Sequence, residues 1–128
     1  NRKNPSVYAL ERTSNLQLTE QQLSPSPHIN PQSYFEGCYG VNHEDCNPVP
    51  IKIKVYGSQV DYVRARPIHA SQEEVEQGDG WSVFSYWLRP SYNFYQMLLW
   101  HREKVEVMEP KEVRGEMKKI VNQISKQY

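Results

Sequence analysis

The sequence predicts an α+β fold in which a small sheet carries helices on one face. Residues 51–56 alternate apolar and polar side chains, as a half-buried strand does. The segment Gln77-Gly-Asp-Gly80 is typical of a hairpin turn, and residues 111–128 repeat apolar side chains at helical spacing. Together these observations predict a ferredoxin-like β-α-β-β-α-β sheet with one helix appended after the last strand.

The strand at residues 51–56 separates a core face from an outer face. Ile51, Ile53 and Val55 should be buried, while Lys52 and Lys54 should point the other way. Beyond it the pattern predicts a short helix, a second strand and a third strand, at residues 58–66, 68–77 and 81–88.

The second half of the domain begins with a helix at residues 91–102, for which Ser91 is a suitable N-cap. Residues 104–108 then predict the last strand, with Val105 and Val107 facing the core. The closing helix, at residues 111–128, has an apolar stripe made of Val113, Met117, Ile120, Val121, Ile124 and Tyr128.

The first 50 residues divide into two segments. Residues 1–23 contain one candidate strand, at residues 7–10. The prolines of Ser24-Pro-Ser-Pro27 mark a linker over residues 24–50, because proline removes a backbone donor. Within it, residues 30–39 predict a short helix with Asn30 as cap and Gly40 at its end. The main domain is expected at residues 51–128.

Composition excludes several classes of protein. Lys+Arg and Asp+Glu are equal at 15 each, so the chain lacks the basic footprint of a tight duplex-DNA binder. No apolar run approaches the roughly 18 residues of a membrane span, and no signal peptide is visible. Cys38 and Cys46 do not have zinc-site spacing, so two reduced cysteines are expected. Because the chain starts at Asn1, we expect a piece of a longer protein.

Nothing in the sequence predicts catalysis. It contains no phosphate-binding glycine loop, no zinc-protease motif and no nucleophile elbow. Asp79 is explained by its place in a turn, and the acidic run Glu73-Glu74-x-Glu76 is typical of a solvated strand edge. We therefore expect no enzyme, no cofactor and no metal.

The run from Gly80 to Tyr86 raises the alternative of an RNA-recognition fold, which shares this element order and carries aromatic side chains on its third strand. The match is incomplete, because Asp79 precedes the glycine and Val83 and Ser85 follow Trp81 on its face. Packing or a protein interface is the favoured role for this strand. Single-strand nucleic-acid binding through Trp81, Phe84 or Trp87 stays open as the alternative.

Three segments carry a resemblance to a known family. Val7-Tyr-Ala-Leu-Glu-Arg12 is similar to the last strand of the WYL domain. Tyr34-Phe35 followed by Tyr39-Gly40-Val41 is similar to the helix that follows it. The run from Ile51, with Ile68-His-Ala-Ser-Gln72 and Val105-Glu-Val-Met-Glu-Pro110, resembles the C-terminal extension called the WCX domain. The chain thus resembles the C-terminal part of a WYL-domain bacterial transcriptional regulator.

This resemblance implies a function and a set of residues. Such regions sense a ligand, with a nucleotide or nucleic acid as the expected effector, and help the regulator to form homo-oligomers in the cytoplasm. Arg12 matches the family arginine of the sensing surface, Tyr8 accompanies it, and His69 and Gln72 match positions on the second strand. DNA would be contacted by a helix-turn-helix upstream. A small-molecule sensor is the remaining alternative.

Overall fold

The computed structural model describes residues 8–24, 29–40 and 46–128. The chain forms two compact units, Asn1–Tyr34 and Phe35–Tyr128. Each unit is described by itself.

The first unit contains two short helical turns. Leu10–Arg12 is a 3-10 helix and α1 spans Pro31–Tyr34. The strand predicted at residues 7–10 is wrong for its described part, because the Arg12 amide donates to the Ala9 carbonyl at 3.1 Å and closes a turn; Val7 lies outside the described residues. Asn30 does cap α1, its side chain accepting from the Gln32 amide at 2.9 Å. The helix predicted over residues 30–39 is much shorter than expected.

The second unit holds a four-stranded antiparallel sheet, so the predicted α+β class is confirmed. Its strands are β1 (Val49–Tyr56), β2 (Glu73–Gly78), β3 (Trp81–Leu88) and β4 (Val105–Glu109), in the order β2-β3-β1-β4. The helices are α2 (Gln59–Ala65), α3 (Tyr92–Trp100) and α4 (Lys111–Ser125), with a 3-10 turn at Arg102–Lys104. The central strands β1 and β3 pair along their whole length.

The core lies between one face of the sheet and the helices. Ile51, Ile53 and Val55 are fully buried, as the alternation predicts. From β3 the even-numbered side chains face the same way, which decides the orientation that the sequence left open. The helices and β4 complete the cluster with Val60, Val63, Phe94, Met97, Leu98, Val107 and Val113.

The start of β2 is where the sequence prediction is wrong. The predicted strand began at residue 68, but the observed strand begins at Glu73, and residues 68–71 form bends and turns. The Gln72 amide donates to the His69 carbonyl at 3.0 Å, and the Gln72 side chain accepts from the Ile68 amide at 3.0 Å. These local bonds compete with strand pairing and keep the segment turned.

The remaining bounds agree more closely with the prediction. β3 is as predicted, and Ser91 caps α3 by accepting from the Phe94 amide at 3.4 Å. The hairpin turn is the pair Asp79-Gly80, with Gly78 opposite Trp81 and a φ of 74° at Gly80. The closing helix ends at Ser125 rather than at residue 128.

Candidate functional site

Gln72 lies in the turn before β2 and ties three elements together. Its side-chain oxygen accepts from the Ile68 amide at 3.0 Å and from the Tyr86 hydroxyl at 2.8 Å. Its side-chain nitrogen donates to the Val63 carbonyl at 3.0 Å. An amide oxygen accepts two hydrogen bonds and the nitrogen donates two, so one side-chain N–H of Gln72 has no hydrogen-bond partner in the described residues. Burial raises the pKa of Tyr86, which keeps that hydroxyl a donor to Gln72.

His69 lies in the same turn, not on the strand where it was expected. Its Nδ1 accepts from the Ser71 amide at 3.2 Å and lies 2.8 Å from the Ser71 hydroxyl. The neutral ring therefore carries its proton on Nε2, and burial lowers the pKa of His69 and favours this neutral form. The structure thus brings His69 and Gln72 into one turn, where each keeps one N–H donor.

Arg12 and Tyr8 belong to the first unit. Arg12 ends the 3-10 turn and Tyr8 precedes it, and both side chains are exposed. Within the described ranges the Arg12 side chain makes no hydrogen bond or ion pair. Their assignment to a sensing surface stays a prediction, as it does for His69 and Gln72.

Helix α4 leaves an apolar groove between itself, β4 and the end of α3. Val113 is buried in the core, but Val121, two turns later, is 46% exposed. Arg114 fixes the first half of the helix by donating to Glu106 at 2.7 Å and to the Val107 carbonyl at 2.6 Å. This α4 groove has a volume of about 560 Å³, with an apolar lining of Leu99, Val105, Val107, Met117, Val121 and Ile124 and a rim of Arg102, Glu103, Glu106, Arg114 and Lys118.

The sheet face opposite the core carries a mixed polar and aromatic surface. The Lys54 ammonium lies 3.8 Å from the centroid of the Trp81 ring, a cation–π contact, and the indole covers Gly78. The Tyr56 hydroxyl donates to Glu106 at 2.7 Å. This bond and the Arg114 guanidinium hold the pKa of the Glu106 carboxyl below its usual value. Trp87, near the other end of β3, is half exposed.

A second concavity lies where the ends of α2 and α3 meet. This α2–α3 cavity has a volume of about 260 Å³ and is lined by Tyr39, Tyr62, Arg66, Pro67, Ile68, Met97, Trp100 and His101. It contains three aromatic rings, one histidine and one arginine, all from the second unit.

Two kinds of feature are absent from the described ranges. They contain no group of three or more His, Cys, Asp or Glu side chains that could hold a metal ion. None of the helices in the same ranges is long and apolar enough to cross a membrane.

The WCX domain model matches residues 47–125, which is more than half of the 128 residues. This chain belongs to the WCX domain family. The WCX match takes in all four strands together with α2, α3 and α4. It includes His69 and Gln72 but not Tyr8 and Arg12. No curated protein matches the chain.

The sequence analysis predicted neither concavity of the WCX domain as a site. In the helix predicted at residues 58–66, Tyr62 and Arg66 are four residues apart and would share a face, and this spacing was the available signal. In the structure α2 ends at Ala65, and Arg66 is its C-cap. No sequence signal pointed to Trp100, because only the tertiary structure brings the end of α3 to the end of α2. For the α4 groove, the apolar stripe of the closing helix was recognised, but not that its second half would lack cover.

Proposed function

We propose that this chain is the C-terminal sensing and assembly region of a bacterial transcriptional regulator that works in the cytoplasm and is not an enzyme. The match of the WCX domain model to residues 47–125 carries the proposal. The element order and the strand order β2-β3-β1-β4 support a ferredoxin-like arrangement of this domain. DNA binding belongs to a helix-turn-helix upstream, and this region biases the regulator between two arrangements according to its ligand.

The proposed division of the chain gives residues 1–23 to the end of a WYL domain, residues 24–50 to a linker and residues 51–128 to the WCX domain. The apolar side chains of the first segment support this division. In the described residues 8–23 the large apolar side chains are exposed, and the 3-10 turn at Leu10–Arg12 buries no residue, as expected of a segment that packs against a larger body. The exposed residues are Tyr8, Leu10, Leu16, Leu18 and Leu23.

Assembly of two copies would use the α4 groove. Its floor is apolar, and its rim carries both signs of charge, with Glu103 and Glu106 beside Arg102, Arg114 and Lys118. A two-fold interface places the same patch on both sides, so a mixed-sign rim pairs with itself. The formal net charge of zero imposes no long-range repulsion between copies. A second copy of this chain is therefore the occupant that fits the groove.

The assembly is tested by multi-angle light scattering of the whole chain. Val121→Glu places a carboxylate on the groove and should convert dimer to monomer. Val75→Glu is the matched control, because Val75 is 49% exposed and Val121 is 46% exposed. Val75 lies on β2, at the opposite edge of the sheet from β4 and the groove. A parent chain that is monomeric at high concentration, or a Val121→Glu variant as dimeric as the control, would refute the assembly role.

The regulatory role is tested on the complete gene product in cells. It should occupy specific promoter DNA, and deletion of residues 47–125 should change that occupancy. A complete gene product that associates with no DNA would show that this is not part of a transcriptional regulator.

Single-strand nucleic-acid binding is the second candidate, and the open sheet face is the observation that favours it. Trp87 is half exposed there, and Lys52 on the paired strand β1 also faces solvent. Bases would stack on the indole and the ammonium would contact phosphate. Titration with single-stranded oligonucleotides should then quench fluorescence in a salt-dependent way, and Trp87→Ala should abolish the change. Binding that Trp87→Ala leaves intact would remove this candidate.

A further inference from the structure

The α2–α3 cavity has an aromatic wall, made of Tyr62 and Trp100, that is not part of the hydrophobic core. Trp100 is 68% exposed, although burial of a tryptophan would normally stabilise the fold. Its ring centroid lies 6.3 Å from that of Tyr62, with the planes inclined at 43°. Since the two rings do not stack face to face, they leave aromatic surface for a third ring. Ile68 and Met97 add apolar surface to the same cavity.

Arg66 brings a positive charge to this wall. Arg64, two residues earlier on α2, is held by Glu74 at 2.6 Å and by Asp61 at 3.1 Å. The side chain of Arg66 makes no hydrogen bond or ion pair to any residue of the described ranges. A planar guanidinium with all its donors available binds carboxylate or phosphate through two parallel hydrogen bonds.

His101 contributes a neutral donor. Gln59 Nε2 lies 2.9 Å from His101 Nδ1, and an amide nitrogen only donates, so Nδ1 accepts and the neutral ring carries its proton on Nε2. The His101 ring meets the Trp100 ring edge to face, with 5.1 Å between centroids, but Nε2 has no hydrogen-bond partner in the described ranges, where no fully buried polar side-chain atom lacks one. Nε2 therefore reaches the surface, and His101 lines the cavity.

We propose that the α2–α3 cavity binds a small ligand with a planar aromatic ring and an anionic group. The ring packs on Trp100 and Tyr62, the anion pairs with Arg66, and the His101 N–H donates to a polar atom of the ligand. The volume of about 260 Å³ is below the roughly 300 Å³ of ordinary ligand pockets, which suits one ring system with a short substituent. This inference rests on the proposed sensing role and gives that role a site.

Two sources of this chemistry are separated by the probes. Isothermal titration calorimetry of the whole chain would use adenosine 5′-monophosphate and indole-3-acetate as the anions, with adenosine, indole and inorganic phosphate as partial probes. At least one anion should bind, and its uncharged relative should bind about tenfold more weakly or worse, because the charge-assisted bonds to Arg66 are lost. Binding of the nucleotide alone identifies a nucleotide source, and binding of the indole acid alone identifies an aromatic acid.

Matched variants locate the site. Arg66→Gln should weaken binding about tenfold, whereas Arg102→Gln, an exposed arginine of the α4 groove, should not. Ligand binding should change the tryptophan fluorescence of the parent chain. Trp100→Ala should remove both the binding and this fluorescence change, whereas Trp87→Ala, on the other sheet face, should retain both. Arg66 and Trp100 are exposed, so the fold should persist, and unchanged thermal unfolding verifies this.

Two results would overturn the inference. In one, neither anion binds the parent chain. In the other, an anion binds as tightly to Arg66→Gln and Trp100→Ala as to the parent. Either result leaves the regulatory proposal standing on promoter occupancy and on the Val121→Glu assembly test, so failure of the cavity and failure of the proposed function are distinguishable.

Discussion

At the scale of single residues, Gln72, which was predicted to bind a ligand, has a structural role in the fold. Its three hydrogen bonds join the turn before β2 to α2 and β3. Tyr86, whose hydroxyl depends on one of them, is buried in the core. If Gln72 binds a ligand as the resemblance implies, the ligand would contact a residue that connects three elements, and we propose this as a route from binding to a change in the domain.

Replacing Gln72 should be costly for stability. Gln72→Leu leaves the Ile68 amide, the Val63 carbonyl and the Tyr86 hydroxyl without their partner, so the free energy of unfolding should fall by about 2–3 kcal/mol. Urea unfolding followed by circular dichroism measures this. Gln123→Leu, an exposed change of the same chemistry on α4, should alter it little. Equal stability in the two variants would mean that the Gln72 hydrogen bonds contribute nothing net.

Two histidines should make stability depend on pH. Burial lowers the pKa of His69 and His101 below the ordinary 6.5, while the unfolded chain keeps the ordinary pKa. Protonation therefore favours the unfolded state, and their contribution is complete above pH 6.5 and is lost as pH falls through the folded pKa values. Urea midpoints should drop between pH 7.5 and pH 5, and His69→Asn with His101→Gln should reduce the drop.

The carboxylates should not contribute to the change in urea midpoint between pH 7.5 and pH 5. Hydrogen bonds from Arg64 to Glu74, and from Tyr56 and Arg114 to Glu106, lower the pKa of both carboxyls. Their stabilising effect is present above their ordinary value of 4.5 and is lost only below it. A midpoint drop between pH 7.5 and pH 5 that the double histidine variant retains in full would contradict the assignment to His69 and His101.

At the scale of elements, glycine has opposite effects on stability, relative to alanine, in the hairpin and in the last helix. Gly80 has a φ of 74°, and Gly115 lies inside α4; a Cβ at either position would meet no atom within 4 Å. Since space is open at both positions, only backbone conformation separates them. The left-handed region penalises a side chain, whereas a helix interior favours alanine over glycine.

The two alanine substitutions should therefore have opposite signs. Gly80→Ala should lower the free energy of unfolding by about 1 kcal/mol, and Gly115→Ala should raise it by about 0.5–1 kcal/mol. Thermal and urea unfolding of both variants give the comparison, each serving as the control for the other. Shifts of the same sign would contradict the backbone argument.

Elements were predictable from sequence wherever local pattern and tertiary packing agree. β1 alternates buried and more exposed residues from Ile51, and β3 is rich in aromatic and β-branched residues next to a hairpin turn at Asp79-Gly80. Ser91 has the chemistry of a cap, so each of these features lies within a few residues of its predicted place. Residues 68–71 failed because side-chain bonds from Gln72 outweigh strand propensity. The two concavities needed the tertiary structure, because each one joins elements that are distant in sequence.

At the scale of the whole molecule, the described parts of the two units differ in how many of their backbone groups form hydrogen bonds within the chain. The second unit has a continuous hydrogen-bonded sheet over a buried core. In residues 8–24 the backbone bonds are those from the Arg12 and Thr13 amides, and no side chain there is buried. Stability should therefore be concentrated in one part of the chain.

Hydrogen exchange should show this contrast directly. Amides of β1 should exchange slowly, while those of residues 14–24 should exchange within seconds at neutral pH, because nothing in the described structure protects them. Mass spectrometry of peptides from the whole chain reads both regions in one experiment. Slow exchange over residues 14–24 would show that this segment is already packed.

Strand β2 is poorly suited to pairing with a further strand from another chain. β2 is one of the two edge strands of the sheet that the structure describes; all six of its residues are exposed, and its pairing with β3 slips at a bulge between Glu74 and Glu76. Crowded negative charge and a broken ladder reject an incoming extended chain at this edge. On the opposite side, Arg114 already takes the Val107 carbonyl of β4. Both edges of the sheet that the structure describes are thus poorly suited to pairing with a further strand, so we expect partners to recognise this domain through side chains rather than by strand addition.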